Sequence, residues 1–306
     1  MNAPRHRLFT LSQAFATFTL LLATGLAVSA LATNTAPTTA ISTNSAATNF
    51  IPLKPTEAVR HAKISRWKPI FRGVESCEGS ATKPRPLQVR AIRVDLREPT
   101  VDFLVTPSNG DAPKDVGART TSEFLTEFKC QVALNGSVFD VFAKQRGDPM
   151  DIEGLSLSRG DLYSPPTKYD ALLISTNCRA WIALAPVDAR GAFHGLSGFY
   201  ALLINGKNNG TMKKPLHPRS AIGVSRNGRY LILMTIDGRQ PGYSEGTTTA
   251  ETAEWMRKLG AYNALNLDGG GSTALVMEGT NGAPVVLNRP CGPPLRDTWP
   301  APQRRR

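Results

Sequence analysis

Between His217 and Thr273 the sequence gathers acids, arginines and glycines in an arrangement suited to phosphate-ester chemistry. Asn266-Leu267-Asp268-Gly269-Gly270-Gly271-Ser272-Thr273 puts an acid, three consecutive glycines and a hydroxyl directly after an apolar run. Glycines let a backbone approach a ligand closely and turn successive N–H groups toward phosphate oxygens. The loop has neither the Gly-Lys-Ser/Thr of a Walker A loop nor the spacing of a dinucleotide fingerprint, so it reads as an anion-accommodating loop or as a tight turn. Asp237-Gly238-Arg239 repeats the acid-glycine theme, and Arg219 stands in His217-Pro218-Arg219. Guanidinium forks take phosphate oxygens in pairs, which makes Arg219 and Arg239 candidates to hold a phosphodiester, the alternative being structural ion pairs. Asp268 and Asp237 supply the two carboxylates that glycoside cleavage uses as acid, base or nucleophile, or else they orient an arginine or cap a turn. Glu251 is a third acid, but Thr248 stands three residues before it in capping-box spacing, which reads equally as a helix start. His217 could donate to a leaving phosphate or act structurally.

Other chemistries find less support. There is no Gly-x-Ser-x-Gly elbow, and His6, His61, His194 and His217 are not spaced as a metal cluster. No cofactor is called for; the acidic loop is compatible with calcium, but no ligand spacing demands it.

These residues need rigid elements behind them. Tyr230 to Ile236 is a nearly continuous apolar run and predicts a strand ending at Asp237. Leu87 to Leu96 and Val101 to Val105 read as a hairpin turning at Arg97 to Thr100. Thr120-Thr121-Ser122-Glu123 predicts a capped helix, followed by a short strand from Gln131 to Leu134 that ends at Asn135. Ala171 to Ser175 and Ala180 to Ala183 predict short buried strands, and Leu202 to Ile204 leads into an Asn205-Gly206 turn. At a constant offset of 131, Thr121 to Asn135 aligns with Thr252 to Asn266. Either this is an internal duplication that puts Asn135 and Asn266 at equivalent strand ends, or two amphipathic helix–strand units match by chance.

The chain of 306 residues, 41% hydrophobic, can build one sizeable domain. Residues 1–32 have the parts of a secretory signal: Arg5 and Arg7, an apolar stretch from Leu20 to Val28, and Ala30-Leu31-Ala32. Export to the periplasm or beyond the cell is the expectation, an uncleaved membrane anchor the alternative. Residues 33–55 read as a Thr/Ala/Ser-rich tether, and 56–306 as the folded domain. Four widely spaced cysteines without a C-x-x-C pair admit two disulfides of open connectivity or free thiols. The net charge of +12 favours anionic partners such as phosphoglycans or an anionic envelope surface, while nucleic-acid motifs are missing.

Five blocks together resemble the phosphodiester glycosidase family: Ala133 to Asp140, Ser197-Gly198-Phe199, His217 to Gly223, Asp237-Gly238-Arg239 and Ala264 to Thr273. Two departures stand out. Ser137-Val138 replaces the family's usual Gly-Phe, and the turn Gln240 to Thr248 carries Glu245-Gly246-Thr247-Thr248. The resemblance implies a hydrolase that cleaves a sugar-1-phosphodiester, with an N-acetylglucosamine-like sugar, at the glycosidic bond. It also implies that Asn135, Arg219, Asp237, Arg239, Asn266, Asp268 and Gly269 to Gly271 face the pocket, with Glu251 nearby. Ser272 is assigned to the same substrate loop. The expected fold is α+β, a mixed β-sheet with a few flanking helices. Rival readings are a metal-dependent phosphodiesterase with Asp237 and Asp268 as ligands, breaking P–O, and a noncatalytic phosphoglycan-binding module; polyanion adhesion through the basic surface is a third.

Overall fold

The apolar run Tyr230–Ile236 becomes a central strand, paired on one edge with Leu87–Asp95 and on the other with Arg219–Ser225. The computed structural model describes residues 56–140, 143–213 and 215–291. Residues 1–32, expected as a signal, residues 33–55, expected as a tether, and the arginine-rich end fall outside the described residues.

The main sheet has nine strands, ordered Lys63–Ile64, Val74–Ala81, Leu87–Asp95, Tyr230–Ile236, Arg219–Ser225, Ala261–Asn266, Ala201–Ile204 and Lys207–Asn208, with Lys68–Phe71 added beside Val74–Ala81. Period-two alternation gives it two apolar faces. Ile232, Met234 and Ile236 pack with Ala253, Trp255 and Met256 of the helix Thr249–Lys258. Leu231 and Leu233 face the other way, with Leu172 and Ile174 of a second, five-stranded sheet. The result is a helix, a large sheet and a smaller sheet in layers. Trp255 is wholly buried at the centre of the helix side; such burial stabilises by roughly 2–3 kcal/mol.

Several expectations need correction. The protein is β-rich, and every strand pairing among the described residues is antiparallel, so the sheet is not mixed. The Val101–Val105 arm forms no strand. Both edges of Leu87–Asp95 are already taken, by Val74–Ala81 and Tyr230–Ile236, so Val101 and Phe103 pack onto the core as coil instead. Both helix–strand units exist, but their N-caps are Thr120 and Thr248, three residues out of the aligned register. Their strands join different sheets: Val132–Leu134 pairs with Leu275–Glu278, whereas Ala261–Asn266 lies inside the main sheet. The duplication gains no support beyond the shared order of helix, turn and strand. Disulfides are not formed: Cys77, Cys130, Cys178 and Cys291 are free thiols. Cys77 is buried in the main sheet, where desolvation pushes its pKa up to about 12.

Candidate active site

Arg219–Ser225 lies between Tyr230–Ile236 and Ala261–Asn266, antiparallel to both. The start of the first strand therefore meets the ends of the other two, and Arg219, Asp237 and the Asp268 loop converge at one edge of the sheet. A cleft of about 230 Å³ opens there, lined by Val138, Phe139, Arg239, Asp268 and the loop Gly269 to Ser272.

Asp268 is half-buried in this cleft. Its Oδ1 accepts the Gly269 N–H at 2.8 Å, and the Ser272 hydroxyl also bonds the carboxyl. Burial pushes the pKa above its ordinary value, and the two donors only partly offset that. The loop is held from beneath. Asn135 Nδ2 donates to the Asp268 carbonyl at 2.8 Å, while Asn135 Oδ1 accepts from Ser220 Oγ at 2.6 Å and Ala274 N at 3.1 Å. Three of its four hydrogen-bonding capacities are used internally, so Asn135 is first a clamp on the loop. The cradle of three glycine amides is also narrower than expected. Gly269 N–H serves Asp268 and Gly270 N–H donates to Pro218 O at 3.1 Å, whereas Gly271 N–H makes no such bond among the described residues.

Arg239 presents the exposed cation. Its backbone is left-handed, φ 57°, a conformation costing roughly 1 kcal/mol or more for a residue with a Cβ. Gly238 before it is forced, since a Cβ there would come within 2.6 Å of Pro218 N. The guanidinium lies over Gly270, where a Cβ would meet Nη1 at 3.2 Å, and Gly270 itself has φ +63°. Arg239 Nη2 contacts His217 Nδ1 at 2.9 Å. A guanidinium only donates, so Nδ1 is the acceptor and the proton of the neutral ring sits on Nε2. Burial, then the charges of Arg219 and Arg239, hold the His217 pKa below its ordinary value, in agreement with a neutral ring.

Arg219 is 9% exposed and does not line the cleft. Its Nε donates to Thr247 O at 3.1 Å and Nη2 to Pro215 O at 3.2 Å. Neither Arg219 nor Arg239 has a carboxylate partner within ion-pair distance among the described residues. Two neighbouring guanidiniums, one of them buried, without a counter-charge form a site that favours an incoming anion.

The remaining expected site residues are placed elsewhere. Asp237 is 1% exposed; Oδ1 accepts from Asn288 Nδ2 and Arg289 N, both at 3.0 Å, and Oδ2 from Tyr243 Oη at 3.2 Å. Its carboxylate fastens a distant segment under the cleft and is not presented to substrate; burial raises its pKa against these donors. Glu251 is the third residue of its helix, closing a capping box with Thr248 and pairing with Arg85 in a largely buried ion pair. Its helix-start reading is the one the geometry favours, because all these partners turn its carboxylate inward. Asn266, 2% exposed, pairs with Ala221 and so shares the helix-side face of the sheet, not the cleft. Sequence reasoning missed Asn288, Arg289, Tyr243 and Arg85. Nothing local marks them, since each acts on a residue brought to it by the fold. Among the described residues no group of three His, Cys, Asp or Glu side chains is arranged to hold a metal ion, and no helix is long and apolar enough to cross a membrane.

A family model described as phosphodiester glycosidase matches residues 128–302. The N-acetylglucosamine-1-phosphodiester alpha-N-acetylglucosaminidase of Bos taurus is 42% identical over 62 residues, 20% of this chain and 11% of that protein. The Homo sapiens protein of the same name is 44% identical over 62 residues, 20% of this chain and 12% of its own length. The aligned stretch thus spans only about a tenth of these curated relatives. The zebrafish catalytic domain of that name, solved in a form auto-inhibited by its pro-peptide, has a TM-score of 0.55 at 20% identity, covering 78% of this chain and 87% of that one; it supports the fold. With the family model spanning more than half of its length, the chain belongs to the phosphodiester glycosidase family.

Proposed function

We propose that this protein is an exported hydrolase that cleaves a sugar-1-phosphodiester, with an N-acetylglucosamine-like sugar, at the glycosidic C–O bond. The observation that carries the reading is one open carboxylate, Asp268, beside two guanidiniums that lack counter-charges. Arg239, oriented by the neutral His217, holds the phosphate with the Gly271 N–H, and the buried charge of Arg219 adds to the field beneath. Asp268 takes a proton from water as the water oxygen attacks the anomeric carbon. The bond from that carbon to the phosphate oxygen breaks, its electron pair stays with the phosphate, and free sugar and a phosphate monoester result. Burial makes Asp268 a stronger base than an exposed carboxylate, and the leaving phosphate needs no acid of its own. Export rests on the signal-like residues 1–32, and the basic surface suits glycan or envelope substrates bearing phosphate.

The test is hydrolysis of a panel of sugar-1-phosphodiesters in oxygen-18 water, with and without chelator. Label in the sugar, surviving chelator, supports the proposal. Label in the phosphate, or loss of turnover in chelator, would replace it with metal-dependent P–O cleavage. Binding of the panel without turnover would leave a phosphoglycan-binding module.

A further inference from the structure

The charge of this protein is unevenly spread. Residues 111–153, which supply Val138 and Phe139 to the cleft, hold five Lys and Arg against eight Asp and Glu. The far end of the main sheet is basic instead. Arg219 opens its strand at the cleft and Ser225 closes it, roughly 20 Å further along. The turn Arg226 to Arg229 lies there beside the end of Leu87–Asp95, because Tyr230 pairs with Asp95 and Leu96 N–H donates to Arg229 O at 2.7 Å. On the other side Ser225 pairs with Ala261, where the chain arrives from the end of the helix Thr249–Lys258.

Three carboxylates at this end are already taken: Glu75 by Arg93 at 2.6 Å, Asp95 by Arg229 at 2.7 Å and Glu98 by Arg72 at 2.9 Å. Arg97, Arg226, Arg257 and Lys258 are exposed, and none has a carboxylate within ion-pair distance among the described residues. Arg257 and Lys258 also answer the helix dipole, but that takes up only about half a charge. The strands that meet here are neighbours, in the order Leu87–Asp95, Tyr230–Ile236, Arg219–Ser225, Ala261–Asn266, so the free cations stand in a row about three strand spacings, roughly 15 Å, across. The aromatic rings of this end are covered. Arg93 lies over Trp67 and over Tyr230, 4.7 Å from each centroid, Arg229 over Tyr230 at 5.0 Å and Arg226 over Tyr262 at 5.5 Å. A nucleobase needs an open ring to stack on and finds none in this row. The exposed large hydrophobics among the described residues, Leu162, Leu184, Met212, Leu216 and Val285, all lie outside these turns, so a membrane surface has no apolar anchor here. A linear polymer with recurrent negative charge needs neither stacking nor insertion, only cations in a row.

We infer that this end of the sheet docks a linear phosphodiester polymer and so tethers the protein while the cleft stays free. The docking site stands apart from the glycosidase reading, because none of its residues lines the cleft. The probe is fluorescently labelled poly(glycerol phosphate), which has no glycosidic bond to cleave, titrated with the full chain at about 0.1 M salt, where charges more than roughly 10 Å apart are screened. Arg226→Glu with Lys258→Glu should weaken binding about tenfold, and the milder Arg226→Gln with Lys258→Gln about threefold. Lys129→Glu with Lys144→Glu makes the same change in net charge within residues 111–153 and should leave the affinity within about twofold. All three pairs should keep the far-UV spectrum and melting temperature of the parent protein. Equal losses in the two charge-reversed pairs would reduce the effect to net charge and overturn the docking site, as would a parent protein that does not bind or a far-end pair that binds undiminished. Tighter binding of single-stranded DNA or of phosphatidylglycerol vesicles, lost in the same far-end pair, would give the surface to nucleic acid or to a membrane and overturn the polymer.

Discussion

Two neighbouring strand ends carry nearly the same sequence and do opposite things. Tyr230–Ile236 runs into Asp237-Gly238 and Ala261–Asn266 runs, one residue later, into Asp268-Gly269, on either side of Arg219–Ser225. At Asp237 both carboxylate oxygens are consumed by Asn288, Arg289 and Tyr243, and the group is sealed. At Asp268 the donors come from its own loop, Gly269 and Ser272, and the carboxyl opens on the cleft. An Asp-Gly step at a strand end thus makes either a rivet or an open carboxylate. What separates them is whether a distant segment arrives to satisfy the oxygens.

The sharpest way to break that contrast is Asp268→Asn. The amide keeps an acceptor for Gly269 N–H and the Ser272 hydroxyl, so the loop stays in place while the base is lost. Turnover of a sugar-1-phosphodiester should fall about a thousandfold, with the folded spectrum retained; near-normal kcat would move the chemistry to another group. Next in size is Arg239→Ala, expected to lower kcat/KM about a hundredfold by removing a charge-assisted phosphate contact. Retained kcat/KM would show that Arg239 does not hold the phosphate. The mirror experiment is Asp237→Ala, which strands the Arg289 N–H and loosens Tyr243. Unfolding in urea should show a loss of about 2 kcal/mol; unchanged stability would show that Asp237 is no rivet.

The strands were legible where hydrophobic pattern dominates, as in Tyr230–Ile236 and Ala180–Ala183, and the capped start of the helix Thr121–Phe128 followed from its Thr-x-x-Glu spacing. The Val101 arm was misread because alternation predicts a strand without saying whether a pairing edge is vacant. Asp268, Arg239 and Gly269 to Gly271 do line one cleft, and each stands in a glycine-containing turn at a strand end, a signal carried within a few residues. Asp237 looked equally reactive, since its fate depends on Asn288, 51 residues away. Asn266 was expected at the pocket from the resemblance, and its side chain instead shares the helix-side face with Ala221. Glu251 stood undecided between catalysis and capping until Arg85 appeared beside it.

The Asp268 carboxylate also bears on stability. Burial raises the Asp268 pKa in the native state above its ordinary 3.8, so the folded protein binds this proton more tightly than the unfolded chain does. By linkage, the associated stabilisation is complete below pH 3.8 and is lost as pH rises through the higher native value. At neutral pH the ionised Asp268 is therefore a cost to folding, one that the proposed catalytic role of this open carboxylate accounts for. Asp268→Asn carries no such cost. Thermal unfolding across pH should show the inactive variant melting above the parent protein at pH 7, with the two curves converging as pH falls toward 3.8. A variant that melts below the parent at pH 7 would mean that the Asp268 carboxylate, like that of Asp237, is held by favourable contacts, and the distinction between rivet and open carboxylate would lose its physical basis.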